Sequence, residues 1–171
     1  ARAGLVVDDE VPLRRVRDLV GHVARNDVGA ATRGKGHDHG QCKVPDGYRF
    51  SEISASRWHT CGIELTTGKA ICWGCGGSNS STANYGQCTV PSDTYFESIA
   101  TGAYSTCGIE KGSNGSRVSC WGCGSGSANF GQCQPPDTFD DGANRVISLS
   151  LSPRRSCGVF ADGSKSCWGC D

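Results

Sequence analysis

Residues 96–109 read FESIATGAYSTCGI, and they are followed by CWGC at residues 120–123 and by GQC at residues 131–133. In the order GQC, then C-G-I or C-G-V, then CWGC, these motifs occur three times along the chain. The cysteines of the GQC motif recur at intervals of 46 and 45 residues, at Cys42, Cys88 and Cys133. Repeats of this length are typical of solenoids, propellers and linear arrays. The sequence therefore predicts a repeated scaffold rather than a domain built around one active site.

Each copy has the pattern of short β-strands. Residues 50–54, 96–100 and 146–151 alternate apolar and polar side chains, which is typical of a half-buried strand. Residues 61–65 and 69–73 predict two further strands in the first copy, joined by a Thr-Gly turn that becomes Asp-Gly in the third copy.

A long surface loop is predicted between consecutive copies. Residues 76–87 are rich in glycine, serine and asparagine, which favour turns and loops over regular structure. The same punctuation by glycine, asparagine and proline leaves little room for helix after residue 40.

Composition favours an oxidising compartment. The chain of 171 residues has 17 basic and 17 acidic side chains, so its net charge of zero gives no electrostatic argument for nucleic-acid binding. No apolar run is long enough to span a bilayer, and no signal-peptide pattern follows Ala1. Twelve cysteines in a chain without methionine indicate covalent staples around a small core. We therefore expect an extracellular or cell-surface location.

The first part of the chain differs from the rest, because residues 1–39 contain no cysteine and no tryptophan. Apolar residues between 11 and 23 approximate helical spacing, which is one interpretation. The other is a degenerate repeat, because residues 33–41 align with residues 121–132 of the second copy. We favour the degenerate repeat. The predicted division is an N-terminal extension or degenerate repeat at 1–39 and three repeats at 40–85, 86–130 and 131–171.

These motifs resemble the regulator-of-chromosome-condensation-type (RCC1-like) repeat. More narrowly, they resemble its cysteine-bearing version in plant crinkly-type receptor ectodomains and secreted bacterial relatives. The best match is residues 96–109, the family's histidine is kept as His59, and the resemblance covers residues 40–170 well and 11–39 weakly. It implies one β-propeller blade of antiparallel strands per repeat, used for binding.

The chain also departs from the family pattern. The family's rings have seven blades, whereas this sequence has three clear copies and one degenerate copy. The extra cysteines of CWGC and GQC are not usual family features either. The predicted fold class is all-β, with disulfide-stapled blade-like repeats in an incomplete ring or a repeat array.

Two kinds of disulfide bridge are predicted. Cysteines on strands that flank a hairpin turn face each other within bridging reach, which pairs Cys61 with Cys72, Cys107 with Cys120, and Cys157 with Cys167. The second kind closes each Gly/Ser loop and pairs Cys75 with Cys88 and Cys123 with Cys133. A bridge closing a loop of this size is worth about 3 kcal/mol in the chain-entropy model.

This pairing leaves Cys42 and Cys170 as complementary ends of the second kind of bridge. They can close one chain on itself, link successive chains head to tail, or leave Cys170 to a repeat beyond residue 171. Head-to-tail contacts that do not close build filaments. Sequence alone does not prove the connectivity of twelve cysteines.

Other candidate sites have a simpler structural interpretation. The three C-x-x-C spacings are compatible with zinc binding or thiol exchange, but histidine is scarce near them and the helix that follows a redox motif is missing. The sequence His37-Asp38-His39 and the acidic group Asp137, Asp140 and Asp141 fit solvated turns better than metal sites. Two sequons at Asn79 and Asn114 predict N-glycosylation in exposed loops.

The recurring aromatic and basic residues also have a simpler structural interpretation. One tryptophan per repeat favours core packing against a disulfide over a ligand-stacking platform: Trp73, Trp121 and Trp168. Trp58 stands outside this series and is expected to be partly exposed. The pair Arg154-Arg155 fits a solvated turn better than an anion site.

No sequence motif for catalysis is present, so we expect no enzyme activity, no cofactor and no metal site. The first hypothesis is an extracellular structural or adhesive repeat protein that self-associates into a surface or filament structure. The alternative is a receptor- or inhibitor-type recognition domain that binds a protein or a glycan. A nucleotide-exchange or chromatin role is least favoured, because patterned cysteines do not suit a reducing compartment.

Overall fold

The computed structural model describes residues 39–75, 84–112, 117–124, 128–139 and 144–169. Within these residues, nine β-strands form three antiparallel sheets, each with three strands in sequence order. Sheet 1 contains β1 Phe50–Ala55, β2 His59–Glu64 and β3 Ala70–Gly74; sheet 2 contains β4 Phe96–Thr101, β5 Ser105–Glu110 and β6 Val118–Gly122; sheet 3 contains β7 Val146–Leu151, β8 Arg155–Phe160 and β9 Lys165–Gly169. A 3₁₀ turn, Asp137–Phe139, precedes β7.

The strands are those that alternation predicts, with shifted ends. The second strand of sheet 1 begins at His59 rather than at residue 61, because His59 pairs with Gly74 and Thr60 with Trp73. Each first strand also carries a bulge near its start, for example between Phe96 and Ser98. A bulge of this kind locally increases strand twist.

Successive sheets pack face to face. One face of sheet 1 is buried against sheet 2 in a cluster formed by Cys61, Ile63, Ala70, Phe96, Ile99 and Trp121. An equivalent cluster joins sheets 2 and 3 through Cys107, Ile109, Val118, Phe139, Val146, Phe160 and Trp168. The disulfide face of a sheet is the face that carries the bridge between its second and third strands, and the tryptophan face is the opposite face. The disulfide face of each sheet therefore contacts the tryptophan face of the next, which is the layout of blades in an open, incomplete propeller.

A buried glutamine carbonyl connects each GQC motif to its sheet. The Gln87 carbonyl accepts hydrogen bonds from Trp121 Nε1 at 2.9 Å and from Thr106 Oγ1 at 3.3 Å. The side chain of Gln87 accepts from the backbone N–H of Tyr85 at 2.6 Å. The carbonyl bonds recur in the other repeats at Gln41 with Trp73 and Thr60, and at Gln132 with Trp168 and Ser156.

The prediction of a surface loop over residues 76–87 is therefore wrong at its end. Residues 76–83 lie outside the described part of the chain, but Gln87 is fully buried. Burial is tolerated because its carbonyl and its side-chain oxygen both have donors, which removes the usual desolvation penalty.

Two glycines permit close approaches that a side chain would prevent. A Cβ on Gly108 would lie 2.3 Å from the ring of Phe96, so the missing side chain leaves the space that this ring fills. Gly122 has a φ of 93°, which favours glycine. A Cβ at this position would also come within 3.0 Å of the α-carbon of Gln87. Packing therefore requires a residue without a side chain at the glycine of the C-G-I motif and at the glycine of the C-W-G motif.

We expect Gly108→Ala to destabilise the protein by about 1–3 kcal/mol, because the new methyl group overlaps the Phe96 ring inside a packed layer. Thermal unfolding measures the change. Ser150→Ala is the control, because Ser150 is exposed and the equivalent residue in sheet 2 is Ala100. The control should change stability by less than about 0.5 kcal/mol. Equal stabilities of the two variants would contradict the packing argument.

Candidate interaction surfaces

Five disulfide bridges are present among the described residues, and they are the pairs that the cysteine spacing predicts. Three join neighbouring strands of one sheet, with α-carbons 4.0–4.1 Å apart: Cys61–Cys72, Cys107–Cys120 and Cys157–Cys167. Two join the end of one sheet to the GQC motif of the next repeat, with α-carbons 6.2 Å apart: Cys75–Cys88 and Cys123–Cys133. Consecutive sheets are therefore covalently tied as well as packed.

The bridges exclude the zinc and redox interpretations of the first two CWGC motifs. Cys72 and Cys75 belong to different bridges, and so do Cys120 and Cys123. A sulfur in a disulfide is not the thiolate that binds zinc or attacks a substrate. In the part of the chain that the structure describes, no group of three or more His, Cys, Asp or Glu side chains could hold a metal ion.

Several predicted sites lie outside the described residues, namely Asn79, Asn114, Cys170, His37, Asp38, Asp140 and Asp141. Cys42 is exposed, but its predicted complementarity with Cys170 stays a prediction. Asp137 is exposed at the start of the 3₁₀ turn, and Arg154 and Arg155 are exposed beside β8.

The recurring tryptophans are core residues, as the sequence indicates. Trp73, Trp121 and Trp168 are each at most 8% exposed. Trp121 lies in one cluster with Cys61 and partly buried Cys72, so its indole packs against the disulfide of the preceding sheet. Trp58 is half-buried.

A buried histidine crosses the interface between sheets 1 and 2. His59 Nε2 lies 2.7 Å from Thr106 Oγ1, and His59 Nδ1 lies 3.0 Å from Ser56 Oγ. Burial lowers the pKa of His59 to about 4. The imidazole is therefore neutral at physiological pH, where it links two hydroxyl groups on neighbouring sheets.

The second interface lacks this link. Ser105 stands in sheet 2 where His59 stands in sheet 1, and its buried hydroxyl has no hydrogen-bond partner among the described residues. Glu52 adds a further contact at the first interface, accepting from Ser98 Oγ at 3.1 Å and from the backbone N–H of Ile99 at 3.2 Å. Burial raises the pKa of Glu52 in spite of these bonds.

The disulfide face of sheet 3 has no further sheet of described residues against it. Val159 is 38% exposed, whereas its counterparts Ile63 and Ile109 are 2% exposed. At two positions of this face, sheet 3 has a charged residue where sheets 1 and 2 have buried residues. Arg155 stands in the place of His59 and Ser105, and Lys165 stands in the place of Ala70 and Val118. In the described part of the chain, this face of sheet 3 is therefore exposed and carries two charges.

A pair of side chains also recurs at one end of each sheet. The residue two places before each GQC glutamine contacts the last residue of the loop between the first two strands of its sheet. The pairs are His39 with Trp58 at 4.8 Å between ring centroids, Tyr85 with Tyr104 at 4.8 Å, and Phe130 with the guanidinium of Arg154 at 4.6 Å. We call this end of the sheets, formed by residues 39–43, 56–58, 84–88, 102–104, 129–134 and 152–155, the loop rim. Sequence analysis missed the pairs, although an aromatic ring or histidine before each GQC was a visible signal.

Three blade-like sheets with bridges inside and between them define a disulfide-stapled all-β repeat protein. No protein-family model and no curated protein matches this sequence. Among solved structures, the chain is similar to the ectodomain of the Physcomitrella patens receptor kinase CR4, with 25% identity, a TM-score of 0.56, and coverage of 80% of this chain and 32% of that chain. It is also similar to the CRINKLY WD40 ectodomain of the Arabidopsis thaliana receptor kinase ACR4, with 27% identity, a TM-score of 0.55, and coverage of 72% and 38%.

Yeast RCC1 (Prp20), solved bound to Kap60, matches at 16% identity and a TM-score of 0.53 over 74% of this chain and 31% of that chain, which shows a shared fold alone. The chain thus has cysteine-rich RCC1-like repeats. It spans about a third of the length of the ectodomains that it matches. Within the described residues, no helix has the length and apolar character needed to cross a membrane.

His59 predicts a loss of stability in mild acid. Its pKa is about 4 in the folded state against 6.5 as the ordinary value, so the unfolded state binds more protons between these pH values. We expect the free energy of unfolding to fall by up to about 3 kcal/mol as the pH drops from 6.5 to 4. Denaturant unfolding across this range measures it.

The matched variant is His59→Ser, which installs the residue found at position 105. Its stability should depend less on pH over the same window. Glu52 is common to both proteins, so its opposite dependence, a loss of stability as the pH rises through its raised pKa, cancels in the comparison. Parallel pH profiles for the two proteins would show that His59 does not carry the effect.

Proposed function

We propose that this chain is a non-enzymatic extracellular repeat module that self-associates through its sheet faces. The carrying observation is the exposed disulfide face of sheet 3, whose counterparts on sheets 1 and 2 are covered by the next sheet. The bridges and the likeness to receptor ectodomains support an extracellular setting.

The occupant of this face is a second copy of the chain. Sheet 1 carries Phe50 and Trp73 on its tryptophan face, as sheet 2 carries Phe96 and Trp121. Phe50 is only half-buried on this face, so one chain offers an apolar surface at each end, and joining the two head to tail builds a linear or ring assembly. The ring centroids of Tyr48 and Phe50 lie 6.2 Å apart, and Tyr48 is half-exposed, which adds apolar area at this end.

The buried histidine and glutamines near the interfaces have structural partners, which supports a role without catalysis. His59 bonds Thr106 and Ser56, while the buried Gln87 and Gln132 are held by neighbouring backbone and indole groups. The His59–Thr106 bond joins two sheets, and the glutamine bonds hold each GQC motif to its own sheet, so these groups are engaged in structural contacts.

A second candidate is a recognition domain for a protein or a glycan. The loop rim favours it, because three pairs of rings or cations stand in corresponding places along one edge. The two candidates are compatible, since the rim and the open face of sheet 3 are different surfaces that share only Arg155.

Self-association is tested by measuring molecular mass in solution over a dilution series. We expect oligomers that dissociate on dilution, and we expect Val159→Lys to weaken association by about tenfold or more, because it places a charge in the contact. The control Leu65→Lys introduces the same charge at a 51%-exposed turn position, where the second repeat already has Lys111.

The control should associate like the original protein. A protein that is monomeric at every concentration would refute self-association and favour the recognition candidate. Equal weakening by both lysine variants would place the contact away from sheet 3.

A further inference from the structure

Charge is distributed unequally between the loop rim and the rest of the molecule. The rim segments contain Lys43, Arg57, Arg154 and Arg155 and no aspartate or glutamate. The described carboxylates lie instead in strands, in the other turns, or in the segments that lead into β1, β4 and β7: Asp46, Glu52, Glu64, Asp93, Glu97, Glu110, Asp137 and Asp162. Because the chain as a whole is neutral, this rim is a local cationic surface rather than part of a general basic character.

The sheets align their ends, so the rim is continuous from one sheet to the next. Ser54 Oγ lies 3.0 Å from Thr101 Oγ1, and His59 bonds Thr106, which joins equivalent ends of sheets 1 and 2. At the other end, the Phe96 N–H donates to the Gly68 carbonyl at 2.8 Å.

Two arginines of the rim are stacked on rings. The guanidinium of Arg57 lies 4.5 Å from the centroid of the Trp58 ring, and that of Arg154 lies 4.6 Å from that of Phe130. Stacking restricts the side chain while leaving the N–H groups at the edge of the guanidinium able to donate to an anion. Between these two sheets, sheet 2 presents the half-buried ring of Tyr104 and no cation.

The backbone holds these groups in place. The N–H groups of Tyr85 and Phe130 each donate to the side-chain oxygen of a buried glutamine at 2.6 Å. The N–H of Cys75 donates to the Trp58 carbonyl at 2.8 Å, and that of Cys123 donates to the Tyr104 carbonyl. Both cysteines have a positive φ of 65° and are fixed by the bridges between sheets. A rim fixed in this way loses little conformational entropy when it binds a ligand.

We propose that the loop rim binds a linear anionic polysaccharide. Arg57 on sheet 1 and Arg154 and Arg155 on sheet 3 pair with its carboxylate or sulfate groups, and the Tyr104 ring contacts a sugar between them. Packed sheets lie about 10 Å apart, which is close to the length of a disaccharide, so successive sheets meet successive repeats of such a polymer. The inference rests on the proposed extracellular setting and deepens the recognition candidate.

Binding is measured by calorimetry with two acidic probes, oligogalacturonate for carboxylates and heparin oligosaccharides for sulfates, each in a series of lengths. Cello-oligosaccharide is the neutral probe and poly-glutamate the acidic peptide. We expect affinity for an acidic oligosaccharide to rise with its length and to fall with added salt. Binding to heparin alone identifies sulfate as the group recognised, and binding to both identifies carboxylate as sufficient.

The test variant removes three rim charges and the control removes three charges from the opposite ends of the sheets: Arg57→Gln/Arg154→Gln/Arg155→Gln and Arg49→Gln/Lys69→Gln/Lys111→Gln. The rim variant should bind about tenfold more weakly or worse, and the control should stay within about twofold, because salt screens charges at the far ends of the sheets more than charges in contact with the ligand. Tyr104→Ala keeps the charge and should weaken binding about threefold or more. Thermal unfolding checks that each variant is folded.

Absence of binding to both acidic oligosaccharides, or equal weakening by the two triple variants, would overturn the proposal. Poly-glutamate binding as tightly as the oligosaccharides would also overturn it, in favour of an acidic protein partner. Val159→Lys, which disrupts only the proposed association, should keep its oligosaccharide binding. The two measurements therefore distinguish a failure of the self-association proposal from a failure of the oligosaccharide-binding proposal.

Discussion

One buried carbonyl in each repeat holds the rest of the structure together. The main-chain oxygen of the GQC glutamine accepts from a tryptophan indole and from a strand hydroxyl, so the chain entering a sheet is fixed to the second and third strands of that sheet. The adjacent glycine of C-W-G must lack a side chain because the glutamine backbone lies against it. The motifs GQC and CWGC, separated in sequence, are thus two halves of one contact.

The disulfides extend this contact to the next sheet. The second cysteine of CWGC bridges to the GQC of the following repeat, so each repeat is tied to its successor at the place where the glutamine is already held. The apolar layers between the sheets are small, and each is completed by a tryptophan and a bridge. In a chain with so little large apolar area, loop-closing bridges supply stability that a larger core would otherwise provide.

The interfaces share a plan but not their polar chemistry. His59 and Glu52 form hydrogen bonds between sheets 1 and 2, whereas the Ser105 hydroxyl between sheets 2 and 3 has no hydrogen-bond partner among the described residues. Sheet 3 continues the change with Arg155 and Lys165 on its disulfide face. The series thus runs from an interface with side-chain hydrogen bonds across it to a face whose side chains meet solvent, while the loop rim runs along all three sheets.

Much of this fold follows from the sequence by itself. The three sheets and the five bridges follow from a repeated four-cysteine unit, alternating strands and glycine turns. Local spacing is enough, because it places Cys61 opposite Cys72 and puts Cys75 and Cys88 at the two ends of one loop. The burial of Gln87, the low pKa of His59 and the alignment of Trp58, Tyr104 and Arg154 along one rim were decided only by tertiary structure. Each depends on packing between segments far apart in the chain, and a residue's spacing from its sequence neighbours contains no information about which distant backbone will cover it.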